Sequence, residues 1–342
     1  MTNRIRVLIV DDSLFFRTAL QKAMSGDAGI EVIGTAANTT EAQKKIMELA
    51  PDVVTMDVQM PDMTGTAFLK KLIPVHPLPV VLVSSINMGI FEALDAGAVD
   101  FVRKPSLEAG NDFSIFCNEL SVKIKIASSA KVKKNRLSAD LLPFPNLKIT
   151  DPRERVIAIG ASTGGTEATL EVLKRLPADI PGIVIVQHMP AGFTKMYADR
   201  LNKICAFSVI EATNGDRVKR GQAIIAAGEK HLTLEKDRTG YFVRSVAGEK
   251  VSGHCPSVDV LFRSVAKSAG RDAIGIILTG MGRDGADGLL EMRKNGASTI
   301  GQDKQSSVVY GMPMVAFEIG AVEKQAPCDM IAGALIQVLN KK

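Results

Sequence analysis

The stretch Arg155-Val156-Ile157-Ala158-Ile159-Gly160-Ala161-Ser162-Thr163-Gly164-Gly165 decides the fold. A short Val- and Ile-rich run, apolar at successive positions, is the pattern of a parallel strand covered on both faces, and it stops abruptly in glycines with one serine inside the break. From Glu167 to Leu176 apolar residues recur at helical spacing, so the break opens a helix. Gly160-Ala161-Ser162-Thr163-Gly164 fits G-x-S-x-G, in which small neighbours let a sharp turn push a serine oxygen into the open. Two readings stand at this point: a nucleophile, or a glycine-rich turn that joins strand to helix or cradles phosphate.

Working outward, Gly182 to Val186 is a second buried-type strand ending in Gln187-His188-Met189-Pro190, and Ala273 to Leu278 is a third, followed by Thr279-Gly280-Met281-Gly282-Arg283-Asp284-Gly285. Ligand crevices of open parallel sheets lie beyond the carboxyl ends of the strands, so Ser162, His188 and Asp284 share one rim. An isolated aspartate in such a loop also serves as a helix cap, here for the helix from Ala286. The other histidines sit elsewhere: His76 between prolines, His231 near a hairpin entry, His254 in a loop before Pro256. Between Ser208 and Val246 the turn signals Asn214-Gly215, Arg220-Gly221 and Asp237 to Gly240 separate short β-prone stretches, which reads as hairpins at a sheet edge. Helical spacing returns over Val258–Ala269 and at Met330–Leu339, and Ser298–Gly301 reads as a strand. The loop Ser306 to Pro313 has no role derivable from its residues.

The first third of the chain repeats the same alternation. Strand-like runs at Val7–Val10, Ile30–Gly34, Val53–Met56, Val80–Val83 and Ala98–Val102 alternate with helical patterns. Asp11, Asp12, Asp57, Ser84 and Lys104 then fall on one rim. Clustered carboxylates are tolerable around a hard dication, and a hydroxyl and an ammonium can grip the oxygens of a phosphoryl group on Asp57. Between the two alternating regions, Ala127 to Pro152 is a Ser-, Lys-, Asn- and Pro-rich linker carrying the basic run Lys131 to Arg136.

At 342 residues, 46% hydrophobic, 23% charged, with 29 Gly and 5% aromatic, the chain is of a size for two α/β domains. No apolar run is long enough to span a bilayer and no signal peptide opens the chain, so a cytoplasmic, non-membrane protein is expected. Cys117, Cys205, Cys255 and Cys328 are scattered without metal-ligand spacing and read as buried thiols. A net charge of +5, partly in the linker, has no nucleic-acid motif beside it, so no nucleic-acid partner is expected.

The first region resembles the receiver domain of two-component response regulators through Asp11-Asp12, Asp57, Ser84, Phe101 and Lys104-Pro105. The resemblance implies a flavodoxin-like fold, an acid pair at Asp11 and Asp12, phosphorylation at Asp57, and Mg2+ held by Asp12, Asp57 and the carbonyl of Gln59. It further implies Ser84 and Lys104 as phosphoryl contacts, Phe101 as aromatic switch, and a cis bond at Lys104-Pro105. The second region, through Gly-Ala-Ser-Thr-Gly-Gly, Val-Gln-His-Met-Pro, Pro-Ser-Val-Asp-Val-Leu-Phe and Leu-Thr-Gly-Met-Gly-Arg-Asp-Gly-Ala behind a receiver, resembles the chemotaxis protein-glutamate methylesterases. That implies Ser162 as nucleophile, His188 as base and Asp284 as orienting acid, with Thr163 and Met281 at the oxyanion site. No cofactor is then needed for catalysis. Methyl-accepting chemotaxis receptors are the implied substrate, a chemotaxis histidine kinase the implied phosphodonor, and a monomer the expected state. Gly253 and Cys255 depart from the basic residues expected of relatives in the loop 252–256.

The resulting expectation is two doubly wound parallel-sheet domains: a receiver at 4–126, a linker at 127–152, and a Rossmann-like methylesterase domain at 153–342 with an antiparallel hairpin at its sheet edge. Two other readings are a response regulator whose output domain binds a nucleotide, and an interaction scaffold with a degenerate site. The first lacks G-x-G-x-x-G and the acid at the end of the next strand.

Overall fold

The apolar runs become strands because a strand covered on both faces buries every side chain it carries. Residues 4–85, 89–105, 112–132 and 154–341 are described in the computed structural model. Most of the linker, including Lys133 to Arg136 of its basic run, lies outside the described residues. The chain divides into two compact units between Ala139 and Asp140.

In the N-terminal unit the elements are β1 (Ile5–Val10), α1 (Leu14–Met24), β2 (Ile30–Ala36), α2 (Thr39–Leu49), β3 (Val53–Asp57), α3 (Gly65–Val75), β4 (Val80–Ser84), α4 (Ile90–Asp95), β5 (Asp100–Arg103) and α5 (Asp112–Ser128). The strands form one parallel sheet in the order β2-β1-β3-β4-β5. The chain starts near the middle and winds both ways, so the ends of β1 and β3 bracket a crevice. Ser13, Asn38 and Thr64 cap α1, α2 and α3 by accepting backbone N–H bonds. The expected cis bond at Lys104-Pro105 is corrected: among the described residues the cis X-Pro bond is Cys255-Pro256.

The C-terminal unit carries β6 (Val156–Ala161), α6 (Gly165–Leu173), β7 (Gly182–Gln187), α7 (Phe193–Ile204), β8 (Ser208–Glu211), β9 (Gln222–Ile225), β10 (His231–Asp237) and β11 (Gly240–Val246). There follow α8 (Val258–Ala269), β12 (Ala273–Ile277), α9 (Ala286–Lys294), β13 (Ser298–Gln302), α10 (Met312–Glu318), β14 (Lys324–Ala326) and α11 (Cys328–Leu339). Seven strands pair in the order β14-β13-β12-β6-β7-β9-β8, all parallel. β6, β7 and β12 are buried along their whole length.

The turn-rich segment from Ser208 differs in part from its reading as hairpins. β8 and β9 join the main sheet in parallel, and the antiparallel hairpin is β10–β11, a two-stranded sheet of its own. It is tied to the edge of the main sheet by the segment before β9, where Val218 N–H donates to Tyr241 O and Val243 N–H to Asp216 O. Leu232, Leu234, Tyr241 and Val243 of the hairpin join the core formed with Val258, Leu261, Phe262 and Val265 of α8. That apolar stripe, repeating every three or four residues, is what makes 258–269 a helix here.

Candidate active site

Ser162, His188 and Asp284 leave the carboxyl ends of β6, β7 and β12, three adjacent strands of one sheet. Backbone bonds lock the ends together: His188 N–H donates to Ala161 O at 3.1 Å, and Ser162 N–H donates to Thr279 O at 3.0 Å. The elbow holds its shape because several positions have no room for a side chain. Gly164 sits at φ 75°, and a Cβ there would lie 2.6 Å from the Cβ of Val308. A Cβ on Gly280 would lie 2.7 Å from Ser162 Cβ and 2.4 Å from Met312 Sδ.

Gln187 and Thr279 supply the polar fastening. Gln187 Nε2 donates to Ser162 O at 2.9 Å, and Thr279 Oγ1 donates to Thr163 O at 3.0 Å. The loop 306–313 acquires a role from the structure: Val309 N–H donates to Thr279 Oγ1 and Gly280 N–H donates to Val309 O, so this loop braces the elbow from behind.

His188 Nε2 lies 2.8 Å from Asp284 Oδ2, both side chains nearly fully buried. Asp284 is in turn seated on the N-terminus of α8. Its Oδ1 accepts from Ser257 Oγ at 2.7 Å and Asp259 N–H at 3.0 Å, and its Oδ2 also accepts from Val258 N–H at 2.8 Å. Orphan N–H groups and the positive end of the helix dipole favour a negative charge at this point. Burial alone would push the carboxyl up; the imidazole of His188, with Asp259 N–H and the Ser257 hydroxyl, outweighs it and holds Asp284 below its ordinary 3.8. An ionised Asp284 can only accept, so Nε2 of His188 carries a proton towards it, and in the neutral ring Nδ1 is the acceptor. That Nδ1 is buried without a hydrogen-bond partner. Ser162 is half-buried, and it is not within hydrogen-bonding reach of Nδ1 in this structure.

Thr163 is buried and Met281 is 47% exposed, each one residue from a locked carbonyl, Ser162 O and Gly280 O. Ser257, Gln187, Thr279 and His254 touch these residues, and none was assigned from the sequence. The His254 ring stacks on His188 with centroids 3.7 Å apart and planes within 12°. Ser257 had a readable signal, a serine opening a helical stripe in the manner of an N-cap. His231 is the first residue of β10; its Nδ1 accepts from Ser257 N–H at 3.2 Å and its Nε2 lies 2.7 Å from Glu249 O. Cys117 is buried and the other three cysteines are half-buried; all four are free, with burial pushing Cys205 and Cys328 up to about 12.

On the rim of the N-terminal sheet, Lys104 Nζ lies 2.5 Å from both Asp11 Oδ2 and Asp57 Oδ2, and Gln59 N–H donates to Asp57 Oδ1 at 3.0 Å. Ser84 and Phe101 are buried beside this rim on β4 and β5. Burial raises the Asp11 carboxyl, Lys104 pulls it back, and Asp57 adds repulsion; the net effect is upward. Oxygens of Asp11, Asp12 and Asp57 all lie within 4.8 Å of one another, and an all-carboxylate donor set of this size suits a hard dication such as Mg2+.

These features define a class: a response-regulator-type sheet followed by a doubly wound sheet bearing a serine elbow and a His–Asp pair. The receiver domain profile of response regulators matches residues 7–110, and the CheB methylesterase profile matches residues 157–335. The chain is 54% identical over 99% of its length to a protein-glutamate methylesterase/protein-glutamine glutaminase of Syntrophomonas wolfei, covering 98% of that relative. It is 46% identical over its whole length to one of Syntrophotalea carbinolica, covering 99% of it. The solved catalytic domain of Thermotoga maritima CheB methylesterase aligns with 54% of this chain and 99% of its own, at 35% identity and a TM-score of 0.53. The chain belongs to the CheB methylesterase family and carries that family's receiver domain ahead of the esterase fold.

Proposed function

We propose that the enzyme hydrolyses γ-methyl esters of glutamate side chains on the cytoplasmic helices of chemoreceptors, and deamidates receptor glutamines at the same site. The observation that carries this reading is the His188–Asp284 pair, anchored on α8 beside the serine elbow. Ser162 Oγ attacks the ester carbonyl while His188 Nδ1 takes its proton; backbone donors at Thr163 and Met281 stabilise the oxyanion. The same proton passes to the departing alkoxide, releasing methanol. Water then attacks the acyl-enzyme, gives a proton to His188, and frees the γ-carboxylate and Ser162. With a glutamine substrate the leaving group is ammonia. The Ser162–His188 bond forms in the substrate complex, as catalytic contacts that are long in the free enzyme commonly tighten there.

The domains of this reading are 4–126, 127–152 and 153–342, and the protein works as a cytoplasmic monomer; no described helix is long and apolar enough to cross a membrane. The receiver takes a phosphoryl group on Asp57 from a chemotaxis histidine kinase. Asp12, Asp57 and the Gln59 carbonyl would hold Mg2+, which offsets negative charge while the phosphoryl group is transferred. Ser84 and Lys104 grip its oxygens, Phe101 responds as the aromatic switch, and Asp11 completes the acid pair. Phosphorylation relieves inhibition of the esterase.

The test is methanol release from methylated receptor membranes by the full chain, with Mg2+ and with or without acetyl phosphate. Faster release with the phosphodonor is expected, and equal rates would overturn the regulation. Ser162→Ala should lower kcat by roughly 10⁵-fold or more; full activity in that variant would remove the nucleophile assignment.

A further inference from the structure

Resting on the Ser-His-Asp reading above, we infer that His254 is a positioning residue for the same reaction, a flat wall that fixes the plane of the His188 ring and so aims Nδ1 at Ser162. His188 has one tether on its ring, the Nε2 contact with Asp284. That bond fixes the position of Nε2 but does not by itself set the tilt of the ring plane about χ2, on which the direction of Nδ1 depends. A second ring lying face to face at 3.7 Å and within 12° of parallel removes that freedom. Aromatic pairs left to themselves prefer offset or edge-to-face arrangements, so a stack of this kind has to be imposed by the backbone.

The backbone around His254 is built to impose it. Val251 and His254 exchange both backbone bonds, N–H to O at 3.0 Å in each direction, closing a two-residue turn through Ser252 at φ 52° and Gly253 at φ 82°. Two successive positive φ values make this a tight hairpin turn of the primed kind, which glycine at 253 favours. No atom lies within 4 Å of a Cβ placed on Gly253, so glycine is there for its conformation and not for space. Three residues after His254, Ser257 caps α8, binds Asp284 and is held through its N–H by His231. His254 is therefore clamped from both sides, and one short segment carries both the wall beside the base and the seat beneath the acid. The departure of this loop from the basic residues expected of relatives at 253 and 255 leaves that geometry intact.

The test compares His254→Ala, His254→Leu and His254→Phe in the full-length enzyme, by methanol release from methylated receptor membranes and by the labelling rate with a serine-directed phosphonate, which needs no receptor. A flat face is retained by Phe alone. The Ala and Leu variants should lose about 10-fold to 100-fold in kcat with KM unchanged, and label correspondingly slowly, because a base pointed wrongly by about an ångström costs rates of that order. The Phe variant should hold within about threefold of wild type, since it restores the stack without the ring nitrogens. If folded Phe and Ala variants are equally slow, the nitrogens of His254 matter and the wall does not. If Ala and Leu variants keep full kcat, His188 needs no wall. Should the Ala variant not fold by circular dichroism, the Leu and Phe pair carries the comparison. Ser162→Ala run alongside separates the two levels: an active Ser162→Ala enzyme overturns the triad itself, whereas a dead one beside a fully active His254→Ala overturns only this inference.

Discussion

Each unit buries a carboxylate at the carboxyl ends of its parallel strands, Asp57 closing β3 and Asp284 in the loop after β12, and the two are treated oppositely. Asp284 has four donors, two on each oxygen, from a helix terminus, a serine and a histidine. Among the described residues, Asp57 has a lysine on one oxygen and one backbone N–H on the other, with Asp11 competing for that lysine. A saturated carboxylate held by rigid backbone keeps its charge and its place. One shared between a flexible ammonium and a rival acid can exchange partners. In the proposed function this contrast has a use: one rim stays as it is while chemistry happens beside it, and the other is itself chemically altered.

The largest expected difference comes from neutralising each acid in turn. Asp284→Asn should lower kcat for methanol release by about 10⁴-fold, since an amide no longer dictates which nitrogen of His188 carries the proton. Asp57→Asn should instead abolish the response to acetyl phosphate. An Asp284→Asn enzyme retaining more than roughly a tenth of the rate would mean that the acid does not orient the base.

A smaller effect is expected where the serine rim is tight but uncharged. Gly280→Ala places a methyl against Ser162 Cβ and Met312 Sδ, and kcat should fall about 10²-fold through displacement of Ser162. Phosphonate labelling of Ser162 checks this, and an unchanged rate would show that the elbow can give.

The smallest effect concerns stability and pH. The carboxyl of Asp284 lies below its ordinary 3.8. Its ionised form therefore stabilises the fold above that value, and the contribution is lost as pH falls through the lower, folded value. Ser257→Ala removes one donor and the cap of α8, costing about 1 kcal/mol as a cap alone. It should also move the acid loss of stability to higher pH, read from urea midpoints measured from above 3.8 down through the more acidic range in which the Asp284 contribution is lost. At Asp11 the direction reverses, because its carboxyl is raised and ionisation there opposes folding. Asp11→Asn should accordingly raise the midpoint of the receiver near neutral pH.

Sequence made the strands legible where burial on both faces demands unbroken apolar runs, as in Val156–Ala161 and Val80–Ser84. It also placed Ser162, His188 and Asp284 on one rim, because each follows such a run and strand ends of a parallel sheet share a side. Ser208–Ile225 was harder: short β-prone stretches with Asn-Gly and Arg-Gly turns look alike whether they fold back as hairpins or cross over in parallel. The connection here, Ala212 to Gly221, has no helix to announce a crossover, and it runs along β11 instead. What the residues could not reveal about the site is mostly backbone. The N–H groups of Val258 and Asp259 that hold Asp284 have no side-chain signature, and the stack of His254 on His188 depends on a loop conformation joining distant segments.

Val258 gives the second unit a further property. A Cβ on Gly160 would fall 2.1 Å from its Cγ1, and a Cβ on Gly285 would fall 2.4 Å from the same atom. One methyl group thus fills the hollows left by two glycines, one on the strand that delivers the serine and one beside the acid. In mechanical terms it is a shared bearing: the serine strand, the acid loop and the helix beneath them cannot drift apart singly. Changes in size at these three positions are tolerable only in concert, although Gly160 stands 98 residues before Val258 in the chain.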